Sequence, residues 1–105
     1  MASDREYLDL VLEQLSGLEG VSYRPMMGEY VLYYRSKVFG GVYDDRLLIK
    51  PVKAAKEFLP DAPLELPYEG GSGMLLVEPD DPELLCALVE SMYDELPAPK
   101  RKKKN

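Results

Sequence analysis

The stretch RPMMGEYVLYYRSKVFGGVYDDRLLIK, residues 24–50, decides the fold of this chain. After Gly28, large apolar residues occupy alternate positions, as in a strand with one buried face. Short polar segments at 35–37 and 44–45 then reverse the chain twice, and an apolar run follows each reversal. The pattern predicts an antiparallel meander with strands over 29–35, 38–43 and 46–50.

Two glycines, Gly40 and Gly41, follow Phe39 in the middle of the second predicted strand. Glycines inside a strand usually mark a bulge or a close approach by another backbone or a large side chain. We expect the tyrosines of the preceding strand to fill the space beside them. Because their spacing is not that of a dinucleotide-binding loop, we interpret both glycines as packing residues.

Helices and further extended segments flank this meander. Residues 21–27 read as extended, and Pro25 favours an edge or bulged strand there. The other predicted elements are an amphipathic helix at 4–16, a short helix at 52–59, a short strand at 64–68, a strand at 74–78 and a helix at 80–96. The order α-β3-α-β2-α predicts an α+β two-layer sandwich, in which helices pack against one antiparallel sheet.

Composition excludes several kinds of functional site. The chain has 105 residues, which is enough for one core, and it contains no His and one Cys. Histidine-dependent catalytic triads and the common His-containing zinc sites are therefore impossible, and no disulfide can form within the chain. The lone Cys86 has no basic neighbour that would activate it. We expect a non-enzymatic cytoplasmic protein without a metal or cofactor.

Charge is unevenly distributed along the chain. Of the 13 Lys and Arg residues five lie in 100–104, so residues 1–99 carry 8 basic and 19 acidic residues, a net charge of −11. Such a body should repel phosphate backbones. We expect a folded domain over 1–97 and a disordered tail over 98–105, which could be a solvated end, a lid on the acidic body or a weak nucleic-acid contact. The basic residues of the tail are Lys100, Arg101, Lys102, Lys103 and Lys104.

Other polar clusters have simpler interpretations. Asp44 and Asp45 fit a tight turn better than a metal pair, because adjacent turn residues point apart. The GGSG segment at 70–73 lacks the lysine of a phosphate-binding loop. Arg24 and Lys50 flank the meander and could hold an anion together, although pairing with nearby carboxylates is the more common role for such residues.

The central stretch resembles the N-terminal domain of the TfoX/Sxy family of bacterial competence regulators. The shared pattern is Arg-x-Met-x-Gly, a Tyr-rich strand, Phe-Gly-Gly and Asp-Asp-x-Leu-x-x-Lys, and LPYEGGSGMLLVE at 66–78 resembles a later family segment. The resemblance spans roughly residues 5–95. The matching residues are Arg24, Met26, Met27, Gly28, Tyr33, Phe39, Gly40, Asp45, Leu47 and Lys50.

This resemblance implies a secretion-chaperone-like sandwich that acts with other transcription proteins and does not read DNA bases. It implies a protein partner from the transcription machinery and a possible homodimer. The residues that we expect at the interaction surface are Arg24, Met26, Met27, Gly28, Tyr33, Phe39, Gly40 and Lys50. The two-domain regulators carry a further helical domain, so we expect a stand-alone N-terminal-domain protein here. Two alternatives stay open: a nucleic-acid accessory protein that binds weakly through residues 100–104, and a small anion-binding domain that uses Arg24 and Lys50.

Overall fold

The structure is a computed structural model that describes residues 5–26, 28–66, 71 and 73–96. Helices and strands occupy most of these ranges, and a 3₁₀ turn, Tyr93–Glu95, follows the last helix. The elements are α1 (Arg5–Gln14), β1 (Val21–Met26), β2 (Glu29–Tyr34), β3 (Lys37–Val42), β4 (Leu47–Ile49), α2 (Lys53–Phe58), β5 (Leu64–Glu65), β6 (Met74–Val77) and α3 (Pro82–Met92). The last residues of the predicted strand at 64–68 and the basic tail lie outside the described residues.

The strands form one antiparallel sheet in the order β1-β2-β3-β4-β6-β5. This confirms the predicted α+β class, but the predicted order α-β3-α-β2-α was wrong by one strand. Four strands precede α2, which gives α-β4-α-β2-α. The additional strand is β1, which pairs with β2 along its whole length, from Val21 opposite Tyr34 to Met26 opposite Glu29. Pro25 was predicted to lie on an edge or bulged strand, and the structure places it on an edge strand.

The helices and one face of the sheet share a single core. Fully buried Leu8 and Val11 of α1 and Leu88 of α3 pack in the same cluster as side chains of the sheet. Asp81 caps α3 by accepting a hydrogen bond from the Leu84 N–H, at 3.2 Å. None of the described helices has the length and apolar character of a membrane span. The core residues contributed by the sheet are Leu32, Tyr34, Phe39, Val42, Leu47, Ile49, Leu75 and Val77.

The opposite face of the sheet has a small apolar layer of its own. Val31, Gly41 and Leu48 lie side by side in one cross-strand row on β2, β3 and β4. All three are buried but stand outside the core shared with the helices. Tyr43, two residues beyond Gly41, folds back over it, since a Cβ on Gly41 would lie 2.6 Å from the Tyr43 ring. One tyrosine therefore covers the centre of this face.

Two tight turns connect the central strands, as predicted. Asp44 and Asp45 have φ values of 54° and 57°, and Tyr43 and Arg46 exchange two backbone hydrogen bonds of 2.9 and 3.0 Å around them. Arg35 and Ser36 join β2 to β3 with φ values of 52° and 74°. Two consecutive residues with positive φ are characteristic of a type I′ turn, whose twist matches the right-handed twist of the two strands that it joins.

Replacing Ser36 with glycine is expected to stabilise the protein by about 1 kcal/mol, because a side chain is unfavourable in the left-handed region. The melting temperature should rise by about 5 °C, which circular dichroism can measure. The matched control is Ser22→Gly in β1, which should lower stability by about 0.5 kcal/mol because strand interiors disfavour glycine. A fall in melting temperature for Ser36→Gly would contradict the left-handed turn.

Candidate interaction site at the free edge of the sheet

The Phe-Gly-Gly segment lies inside the protein. Phe39 is 1% exposed and sits beside a register shift between Leu32 and Tyr33 in β2. A Cβ on Gly40 would collide with the Leu48 carbonyl oxygen of β4. The close approaches thus come from backbone and, at Gly41, from the Tyr43 ring and the Tyr30 carbonyl oxygen, rather than from the rings of β2 as expected.

Arg24 and Lys50 do not share a site. Arg24 lies on β1 and Lys50 directly follows β4, so β2 and β3 separate them. Neighbouring strands are spaced by about 4.8 Å, which places the two backbones roughly 14 Å apart. The backbone N–H of Lys50 donates to the Phe39 carbonyl oxygen at 2.9 Å. The geometry therefore gives no common anion site to these two side chains.

The remaining candidate residues are dispersed. Met26 is 51% exposed at the end of β1, and Gly28 has a φ of 86° in the turn that follows. Tyr33 is half-buried on the sheet face away from the helices, while Met27 and residues 100–104 lie outside the described residues. The half-buried Cys86 thiol lies 3.5 Å from the Gln14 carbonyl oxygen. Among the described residues no group of three Cys, Asp or Glu side chains is placed to hold a metal ion.

Among the described strands, β1 lies at one edge of the sheet and pairs only with β2, so we call its outward side the free edge. The Arg35 N–H donates to the Gly20 carbonyl oxygen at 2.9 Å, and hydrogen-bonded pairs alternate along an antiparallel ladder. Ser22 and Arg24 therefore direct their backbone groups toward β2. Val21, Tyr23 and Pro25 direct theirs outward, away from the sheet. The missing N–H of Pro25 falls on the outward side, which is why β1 accepts a proline without losing a ladder bond.

Depressions of different character lie on the two sides of this edge. On the helix side, a groove of about 410 Å³ runs between α1 and β1, with Leu12, Leu18 and Val21 among its walls. On the other side, a depression of about 310 Å³ is lined by Ser22, Tyr23, Arg24, Tyr33 and Ser36. The groove on the helix side is therefore lined mostly by apolar residues, whereas the depression on the other side is rich in hydroxyl groups and contains one guanidinium.

The meander is the basic part of the folded body. Residues 21–50 carry five basic and three acidic side chains, a net charge of +2. In contrast, residues 1–20 carry one basic and five acidic side chains, and residues 51–99 carry two basic and eleven acidic side chains. Arg24 is exposed, and its guanidinium makes no ion pair or hydrogen bond with a described residue. Among the described residues, the positive charge of Arg24 therefore has no ion-pair partner on the side of the edge away from the helices.

A second arginine lies near the edge on the helix side. The guanidinium of Arg5 lies 5.3 Å from the centre of the Tyr23 ring and donates to the Asp9 carboxylate at 3.0 Å. The hydrogen bond to Asp9, and then the neighbouring Tyr23, raise the pKa of Arg5 above its ordinary value. The Asp9 carboxylate therefore offsets part of the positive charge of Arg5, whereas Arg24 has no such partner among the described residues.

Sequence reasoning did not identify the groove residues Leu12, Leu18 and Tyr23. They are brought together only when α1 packs beside β1, and no local pattern encodes that contact. Pro25 was the available signal, because a proline within a strand indicates which side of that strand lacks a partner.

Comparison with known proteins gives a family match over most of the folded body. The model of the family described as TfoX N-terminal domain matches residues 13–95. A relative described as an uncharacterized 12.7 kDa protein in the trpE 5′ region of Spirochaeta aurantia is 32% identical over 105 residues, which cover 98% of this chain and 91% of the relative. No solved structure matches this chain.

Proposed function

Because the chain belongs to the TfoX N-terminal domain family, we propose that it is a regulatory protein-interaction domain that acts in transcription, in the cytoplasm and without catalysis. The observation that carries the proposal is the free edge of β1, where the backbone groups of Val21 and Tyr23 point outward beside an apolar groove. Exposed strand edges are common docking sites for partner proteins.

The chemistry of the edge supports binding rather than catalysis. The depression around Arg24 offers the hydroxyl groups of Ser22, Tyr33 and Ser36, but no carboxylate or thiol is among its described lining residues. A hydroxyl nucleophile needs an adjacent general base to become reactive. A guanidinium with hydroxyl groups is instead suited to hold a carboxylate or another anionic group of a partner.

Charge supports a protein partner over direct DNA binding. The net charge of −11 over residues 1–99 opposes the approach of a phosphate backbone, and the excess of two positive charges over residues 21–50 is small. The family's link to competence suggests that pathway as one setting for such an interaction. A homodimer would be compatible with this role.

The proposal is tested by cross-linking the tagged chain to its neighbours in the cell of origin, treating the extract with nuclease and identifying retained proteins by mass spectrometry. We expect a transcription protein to be retained equally by the full chain and by a chain that ends at Pro99. An unrelated acidic domain with the same tag is the control. Recovery of no transcription protein in several growth states, with unchanged transcript levels in cells that lack the chain, would reject the proposal.

A further inference from the structure

We infer that the free edge of β1 binds an extended segment of a partner protein as an added antiparallel strand, and that the side chains of this segment alternate between apolar and acidic. The inference rests on the proposed function, because it specifies the chemistry of the partner at that same edge.

The backbone of β1 can bind such a strand over a short length. The N–H and C=O groups of Val21 and Tyr23 face outward, which provides two donors and two acceptors for a new ladder. The backbone of Pro25 also faces outward, but it offers a carbonyl acceptor and no N–H donor, so we expect the pairing to end there. The proline thereby limits the added strand to a few residues and favours one register.

The two sides of the edge determine the side-chain pattern. Successive side chains of an added strand point to opposite faces of the sheet. On the helix side they would enter the groove between α1 and β1, where Leu12, Leu18 and Val21 favour apolar residues. On the other side they would meet Arg24, with hydroxyl groups from Ser22 and Ser36 nearby, which favours carboxylates.

Charge also selects among the possible occupants of the edge. The strand β1 carries Arg24 and no acidic residue, so a second copy of β1 would add a like charge at the seam. If the basic segment at 100–104 paired with β1, it would likewise add positive charge beside Arg24. An acidic segment of another protein instead supplies a negative charge to the exposed Arg24, which has no ion pair within the part of the chain that the structure describes.

The probe is an end-capped seven-residue peptide of alternating Glu and Val, titrated into the ¹⁵N-labelled full chain. We expect the largest amide shifts at residues 20–25 and at Leu12 and Leu18. One control peptide has Lys in place of Glu, and another carries N-methyl groups on alternate amides, which removes the ladder donors. Each control should bind at least about tenfold more weakly than the Glu-Val peptide.

Two variants of the chain test the charge assignment. Arg24→Glu should weaken binding of the Glu-Val peptide about tenfold and strengthen binding of the Lys-Val peptide. Lys56→Glu makes the same charge change at an exposed position on α2 and should leave both affinities within about twofold. This exchange of preference separates a direct charge contact from a loss of folding.

Several outcomes would overturn the inference: equal binding by the N-methylated peptide, shifts located away from β1, no binding at about 1 mM peptide, or a dimer of this chain paired through β1. Cross-linking in cells separates this inference from the proposed function. Retention of a transcription protein by Arg24→Glu as strong as by the unchanged chain would keep the function and reject the inference. Peptide binding at β1, with no transcription protein retained in cells, would keep the inference and reject the proposed function.

Discussion

Replacing Gly40 with alanine is expected to prevent the protein from folding stably. The new Cβ would overlap the Leu48 carbonyl oxygen and lie 2.8 Å from the Ile49 Cα, and both atoms belong to the backbone of β4. Because rotation of a side chain cannot remove these clashes, β3 and β4 would have to separate at the centre of the sheet. We expect a loss of at least about 4 kcal/mol, a large part of the stability of a domain of this size.

Urea unfolding followed by far-ultraviolet circular dichroism measures this effect. The matched control is Gly73→Ala, since a Cβ there would lie 3.7 Å from its nearest neighbour, a methyl group of Leu64. That variant should stay within about 1 kcal/mol of the unchanged protein. Equal unfolding midpoints for the two alanine variants would show that β3 and β4 are not packed as closely as the structure has them.

Local patterns were enough to predict the parts of the fold that depend on neighbouring residues. Asp44 and Asp45 were predicted as a tight turn from their turn propensity, and the structure places a turn there. Pro25 predicted an edge or bulged strand because proline has no N–H to donate to a ladder, and β1 is an edge strand. The amphipathic spacing of α1 and α3 predicted helices within a few residues of their observed ends.

Features that depend on distant residues could not be predicted in this way. The placement of β6 between β4 and β5 depends on contacts between residues far apart in the chain. The cover over Gly41 comes from Tyr43, which directly follows β3, whereas the sequence pattern favoured the tyrosines of β2. The groove beside β1 likewise forms only when α1, which precedes β1 in the chain, packs beside that strand.

The residues that match the family pattern divide into two groups by position. Phe39 and Gly40 are buried within the sheet and core, so their side-chain requirements follow from packing. Arg24 and Met26 are exposed on β1, where no packing requirement of that kind applies. The family pattern therefore contains both residues that are needed for folding and residues that lie on the surface. Measurements of stability can distinguish these two groups.

Replacing Phe39 with alanine is therefore expected to reduce stability, independently of any partner. Phe39 is the largest fully buried side chain among the described residues, and its removal would leave a cavity where β3 shifts register against β2. Phenylalanine-to-alanine changes in cores typically cost about 3–5 kcal/mol. The lowered urea midpoint should be measurable in the isolated protein by circular dichroism.

Two further substitutions make this prediction specific. Phe39→Leu keeps most of the apolar volume and should cost only about 1.5 kcal/mol. Tyr33→Ala removes another residue of the family pattern, but Tyr33 is half-buried on the face away from the helices, so we expect a loss of about 1 kcal/mol. If Phe39→Ala instead left the midpoint unchanged and only abolished retention of the partner, Phe39 would be an interaction residue and its burial in the core would be refuted.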